Sequence, residues 1–323
     1  MKLLRTLLIL LIVIALLAVV GYAAASYVVY SRLSNTVSGC SNPDDRDNTP
    51  RGFDSDTVDM TPYLMPDYQS LTLISRQDNL SIDAWYVPVP GADKSPTVIL
   101  VHGLASCKRS PAILMPAGML HRAGYNVLMI DLRDHGDSQI EDGRFAGGSD
   151  EYLDVLGAWD WLVEDRGIAP EQIGLFGTSL GAATTMIAFG REPRVAAVWE
   201  DSGFADMQSA IDAELSRNGF PTFLSSGAFL MGRLIANDDL IAFSPQDAAA
   251  AANGRPVYIT HGTADTRLSV EYASRLAETL RANGQEPQVW IVEGSEHVQA
   301  MFDYPEEYEQ RLLEFFASAL APA

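Results

Sequence analysis

Six short apolar runs, separated by stretches with helical periodicity, constrain this chain more than any other feature. They are Thr97–Val101, Val127–Ile130, Ile173–Phe176, Val195–Trp199, Val257–Thr260 and Gln288–Val292. Each has the length of a strand, and runs of this kind fill strands that are covered on both faces. Pro111–Ala123, Asp150–Asp165, Leu180–Phe189, Ser269–Asn283 and Pro305–Ala319 read as helices between and after them. Leu71–Ile74 and Ile82–Val89, joined near Asp78-Asn79, predict a hairpin in front of the set. The expected fold class is therefore α/β: a mostly parallel sheet with helices on both faces. Residues 203–246 break the alternation and carry Phe204, Phe220, Phe223, Leu224, Phe229, Leu230 and Met231. They are expected to form a helical insertion, either a lid over a site or an extra helical pair packed on the core.

The N-terminal segment follows a different logic. No charged residue occurs from Thr6 to Ser31. As a helix this stretch would exceed the roughly 30 Å hydrocarbon core of a bilayer. Lys2 and Arg5 precede it and acidic residues follow Arg32, so a signal anchor with the remaining chain outside the cytoplasm is expected. A cleaved signal peptide, with Ala23-Ala24-Ala25 as the small-residue site, is a second reading. A lipoprotein, with Val37-Ser38-Gly39-Cys40 as its lipid-attachment box, is a third. The expected division is a membrane helix over 1–32, an acidic, extended and solvated linker over 33–60, and a folded domain over 61–323.

Composition excludes several classes. The chain has 323 residues, a net charge of −20 and 47 % hydrophobic residues. That is too apolar for a disordered chain and too acidic for a nucleic-acid partner. Cys40 and Cys107 are too few for a disulfide framework or a cysteine zinc site, and Cys107 is read as incidental. The acidic pairs Asp238-Asp239 and Glu306-Glu307 lack the alternating oxygens of a calcium loop and read as solvated. No cofactor and no metal are expected.

The sharpest chemical signal is Gly177-Thr178-Ser179-Leu180-Gly181, set between an apolar run and a helical stretch. A serine on so tight a strand-to-helix turn needs neighbours without side chains, and the turn lifts its hydroxyl clear of the sheet. A serine hydroxyl needs a base to become a useful nucleophile. Of the five histidines, His297 lies just past the last strand, at the same sheet edge as Ser179. His102 and His261 read as structural, His121 as a surface residue and His135 as a loop anchor. The base needs an orienting carboxylate. Asp265, after Val257–Thr260, is favoured, with Asp201 the competitor. Backbone amides of Leu180 and Leu104 are the expected oxyanion donors, with Ala105 the alternative to Leu104. Asp131 and Asp137 read as braces of the loop after Ile130.

Val101-His102-Gly103, Asp131 through Ser138, the serine elbow, His261-Gly262-Thr263-Ala264-Asp265 and Gly294-Ser295-Glu296-His297 together resemble the α/β-hydrolase superfamily. Within it they are similar to membrane-anchored Bem46-like and dipeptidyl-peptidase-like serine hydrolases. The resemblance covers Leu71 to Ala319. It implies an eight-stranded sheet, no cofactor, the order Ser179, Asp265, His297, and Asp265 rather than Asp201 as the acid. The function expected is hydrolysis of a carboxylic ester of a small-molecule or lipid-like acyl substrate. A peptidase or amidase with the same residues is the alternative, and a non-catalytic binding protein on this fold is the third. A dehalogenase or epoxide hydrolase is disfavoured, because those need an aspartate nucleophile where Ser179 stands.

Overall fold

The expected strands all form, and together they make one eight-stranded sheet. The computed structural model describes residues 2–36, 40, 47–92 and 94–322. The strands are β1 (Gln69–Ile74), β2 (Ser81–Val87), β3 (Thr97–Val101), β4 (Asn126–Ile130), β5 (Ile173–Thr178), β6 (Ala197–Asp201), β7 (Val257–Gly262) and β8 (Gln288–Val292). Their order across the sheet is β1-β2-β4-β3-β5-β6-β7-β8. Only β2 runs against its neighbours, pairing antiparallel with β1 and β4; every other pair is parallel.

The sequence explains the two-sided burial. In β3 and β4 successive side chains serve different cores, as the two-residue period of a strand requires. Ile99, Val101, Leu128 and Ile130 join one cluster, while Val98, Leu100, Val127 and Met129 join the other. The helices are α1 (Lys2–Leu33), α2 (Pro111–Arg122), α3 (Tyr152–Glu164), α4 (Leu180–Arg191), α5 (Met207–Arg217), α6 (Leu224–Ile235), α7 (Pro245–Ala250), α8 (Glu271–Ala282), α9 (Ala300–Asp303) and α10 (Pro305–Ala319). The first cluster takes side chains from α3, α4 and α8, the second from α2 and α10. The insertion is built of α5, α6 and α7, and its aromatics divide. Phe204 and Phe229 are buried, while Phe220 and Phe223 stay exposed.

Three expectations about the N-terminal third change. Lys2 to Val20 is exposed, but Ser26, Val29 and Tyr30 at the other end of α1 are buried against the domain. A helix long and apolar enough to cross a membrane therefore has its last turns inside the folded unit. Of the acidic stretch, residues 37–39 and 41–46, including Asp44 and Asp45, lie outside the described residues. The remainder is not simply solvated, because Phe53 and Met60 are buried in the second core beside Tyr63 and Met65. Alternating acids hide these widely spaced apolar anchors from a reading by periodicity.

The cysteines also change role. Cys40 and Cys107 form a disulfide that closes a separation of 67 residues. Cys107 is therefore not incidental, and a Cys40 sulfur engaged in this bond is not available for lipid attachment; Val37, Ser38 and Gly39 of that box lie outside the described residues. The bond restricts the unfolded chain, so its loss should destabilise the domain. Replacing both residues, Cys40→Ser with Cys107→Ser, is expected to lower unfolding stability by about 2–4 kcal/mol. Denaturant unfolding of the full chain in detergent checks it; equal midpoints for wild type and variant would contradict it.

Candidate active site

Ser179 follows β5 directly and opens α4, with φ 55° and ψ −119°. A non-glycine residue in this region is strained, and such strain collects at functional turns. The flanking glycines are dictated by space. A Cβ on Gly177 would lie 2.2 Å from the Gly181 carbonyl oxygen, and one on Gly181 would lie 2.2 Å from that of Val101. The elbow thus sits wedged between β5, α4 and the end of β3. The carboxyl ends of β3 and β5 adjoin where the strand order reverses, the place where open α/β sheets leave a crevice.

Three expected residues meet there. His297 Nε2 lies 2.9 Å from Ser179 Oγ, and His297 Nδ1 lies 2.7 Å from Asp265 Oδ2. The carboxylate accepts from Nδ1–H, which leaves Nε2 unprotonated and facing the serine hydroxyl. Asp265 is held from several sides. Its Oδ1 accepts the backbone N–H groups of Arg267 and Leu268, each at 2.8 Å. Its Oδ2 also lies 3.1 Å from His261 Nε2. Burial pushes the Asp265 pKa up, but hydrogen bonds from His261 and His297 outweigh it and hold the group below the usual carboxylate range. His261 therefore does more than the structural role read from sequence, because it braces the carboxylate that orients His297.

The competitor, Asp201, is engaged elsewhere. Tyr308 Oη donates to it at 2.7 Å and Ser202 Oγ at 2.8 Å. Ser202 Oγ in turn accepts the Val298 N–H at 3.2 Å, beside His297. Val298 is β-branched yet has φ 58°, a strained conformation that this bond helps fix. Asp201 thus supports the histidine loop from behind. Neighbouring Glu200 is buried, and no side chain among the described residues hydrogen-bonds its carboxyl group; the Gly203 backbone N–H alone approaches it. Burial, opposed by His261 and reinforced by Asp201, pushes its pKa up to about 7.

The loop after β3 is fixed by a cation that the sequence did not reveal. Lys108 is fully buried, and its ammonium lies 2.5 Å from Asp131, 2.8 Å from Asp83 and 3.0 Å from Asp137. The three carboxylates are close enough together to hold a metal ion, but the Lys108 ammonium contacts all three. Burial lowers the Lys108 pKa, but Asp131 and Asp83 more than reverse this and raise it. Asp131 and Asp137 brace the loop, as their positions suggested. His102 completes the anchoring, accepting the Leu132 N–H at Nε2 over 3.1 Å and bonding the Gly103 carbonyl through Nδ1 at 2.7 Å. Burial and the nearby His135 push its pKa well down, which keeps it neutral.

Leu104, Ala105 and Leu180 all line a cavity of about 250 Å³ at Ser179. Leu180 begins α4, where backbone N–H groups lack partners within the helix and carry positive partial charge. The roof comes from the insertion: Phe204, Met207 and Ile211 face the cavity. The acidic pairs behave differently from one another. Glu307 is exposed and pairs with Arg311, whereas Asp238 is buried and accepts the Tyr30 hydroxyl at 2.8 Å. Asp238 is thus not the solvated residue that the sequence suggested, because α1 folds back onto it.

Comparison with known proteins comes to the same fold. Residues 116–323 match the prolyl oligopeptidase family. A 31.7 kDa Escherichia coli protein from the traX–finO intergenic region is 29 % identical over 138 residues, 42 % of this chain. The chain spans only about half, 47 %, of that relative's length. The Escherichia coli protein YfhR is 24 % identical over 288 residues, 87 % of each chain. The Pyrococcus furiosus esterase Pf2001 superposes with a TM-score of 0.64 at 21 % identity, over 85 % of this chain and 100 % of its own. A Pyrococcus horikoshii acylaminoacyl peptidase superposes at 0.60 and 19 % identity, over 79 % of this chain and 42 % of its own.

The buried Glu200 gives a pH test with a defined sign. Its folded pKa of about 7 lies above its unfolded value, so the fold favours the protonated form. Its ionisation therefore weakens the fold as pH rises through this window, and nothing is lost below the unfolded pKa. Relative to wild type, Glu200→Gln should gain about 1–3 kcal/mol of stability between pH 5 and pH 8. Chemical unfolding at both pH values measures this, and a pH-independent difference would contradict it.

Proposed function

The chain belongs to the prolyl oligopeptidase family, hydrolases of the esterase and peptidase type, and from that premise we propose that it is a serine hydrolase cleaving a carboxylic ester. The observation that carries the reading is the hydrogen-bonded sequence Ser179, His297, Asp265 at 2.9 and 2.7 Å. In the proposed reaction His297 Nε2 takes the hydroxyl proton as Ser179 Oγ bonds to the substrate carbonyl carbon. Asp265 stabilises the imidazolium. The Leu180 amide and that of Leu104, or of its neighbour Ala105, donate to the oxyanion. His297 then gives the proton to the departing alkoxide, and the ester C–O bond breaks. Water attacks the acyl-enzyme by the same route, releasing the acid and restoring Ser179.

The cavity wall carries Leu104, Phe145, Phe204 and Met207, which suits an apolar acyl group in the ester we propose. We further propose that α1 anchors the protein in a membrane with the domain outside the cytoplasm. The Cys40–Cys107 disulfide supports this side, since such bonds persist in oxidising compartments. It agrees with the placement of Lys2 and Arg5 before the uncharged run.

Ser179→Ala should abolish ester turnover and labelling by a fluorophosphonate. Asp265→Asn should reduce kcat by on the order of 10³–10⁴, while Asp201→Asn should cost far less. Steady-state hydrolysis of nitrophenyl esters, beside the matching nitroanilides, reads all of these. Faster turnover of the anilides would return the peptidase reading, and damage from Asp201→Asn in place of Asp265→Asn would reassign the acid.

A further inference from the structure

The insertion meets α1 along a close contact. Tyr22 stacks on Phe223 with ring centroids 6.1 Å apart, and its hydroxyl donates to the Phe223 carbonyl at 3.0 Å. A Cβ on Gly227 would lie 2.0 Å from Ser26 Oγ, so the two helices touch through their smallest residues. Beside this contact runs a second, larger cavity of about 510 Å³, walled by Ala24, Val28 and Leu33 of α1 and by Leu215, Phe220 and Leu224 of the insertion. Arg32, Leu33 and Glu214 line both this groove and the cavity at Ser179, so the two spaces adjoin at these side chains.

The depth of the groove is set by the anchor. About 20 apolar residues cross the hydrocarbon core, and counted from Thr6 they end near Ala25, where the groove begins. From Ala24 to Leu33 the groove follows α1 for roughly 13 Å. Phe223 stands at the level of Tyr22, inside the uncharged run, and is 64 % exposed. Leu230, Leu234 and Ile235 continue this exposed apolar face along α6. Exposed apolar surface of this extent marks a contact with something apolar, and here it is continuous with a bilayer-spanning helix.

We propose that the groove between α1 and the insertion conducts the acyl chain of a membrane lipid ester from the bilayer to Ser179. The acyl chain lies along the apolar wall of α1, and its carbonyl passes Arg32, Leu33 and Glu214 to reach Ser179. Hydrolysis adds one water across the ester, and yields a fatty acid that returns to the bilayer along the groove and an alcohol that leaves by the opposite side. This rests on the hydrolase reading above, and the test separates the two.

The full-length chain, reconstituted in phosphatidylcholine vesicles, is assayed on nitrophenyl esters from butyrate to hexadecanoate. kcat/KM, referred to the ester's concentration in the bilayer, should rise at least about tenfold from butyrate to the chain length that the groove seats, through contact with its walls. Ala24→Trp and Val28→Trp, both at exposed positions of the groove wall, should lower the hexadecanoate-to-butyrate ratio of kcat/KM at least about tenfold. A hexadecyl fluorophosphonate with a photoreactive diazirine at its chain end should crosslink to α1 or to residues 214–224 of the insertion after labelling Ser179. Activity with a ratio unmoved by either substitution, or crosslinks confined to other elements, overturns the acyl route alone. Absence of both turnover and Ser179 labelling overturns the hydrolase reading with it.

Discussion

A single buried ammonium holds the active edge of this sheet together. Lys108 follows β3, Asp83 lies in β2, and Asp131 and Asp137 follow β4, so one cation ties three strand ends that otherwise diverge into loops. Its desolvation is tolerable only because all three carboxylates and the Trp85 ring, 5.0 Å away, surround it. The Leu104 amide belongs to the loop so fixed. The disulfide at Cys107 and the two hydrogen bonds of His102 constrain the same loop, residues 102–110. An amide that is to meet a developing charge must be in place before the charge appears, and this loop has little freedom left.

The opposite wall is organised around Asp265. Its three hydrogen bonds, one from His297 and two from backbone, and the His261 Nε2 3.1 Å away, itself bonded to the Leu268 carbonyl, leave the carboxylate one orientation. Behind it, Asp201, Ser202 and Tyr308 secure the turn that carries His297. The two halves face each other across Ser179, whose strained backbone is sustained by close packing at Gly177 and Gly181.

The strands and the three hydrogen-bonded residues were legible because they rest on local rules. Unbroken apolar runs give β3 to β7 within a few residues of their observed ends, and the serine elbow fixes its own neighbours by sterics. What escaped is long-range. Nothing near Lys108 in sequence announces carboxylates 23 and 29 residues away in the chain. Cys40 and Cys107 carry no spacing signal when only one pair exists. Asp238 looks solvated beside Asp239 until Tyr30, 208 residues earlier, reaches it. The apolar run hid a second role for α1 in the same way: a residue buried against protein and one buried in lipid have the same composition.

That second role changes what kind of object the domain is. A head on a loose tether samples all orientations above a surface and meets its reactants by tumbling. Here Ser26, Val29 and Tyr30 are part of the core, and Tyr30 is bonded to Asp238. With α1 in a bilayer, the head stands at one height and one azimuth, and tilting α1 tilts the whole sheet. On the anchored, lipid-ester reading proposed above, encounter becomes a search in two dimensions, and bilayer thickness becomes a variable that repositions Ser179 relative to the headgroups.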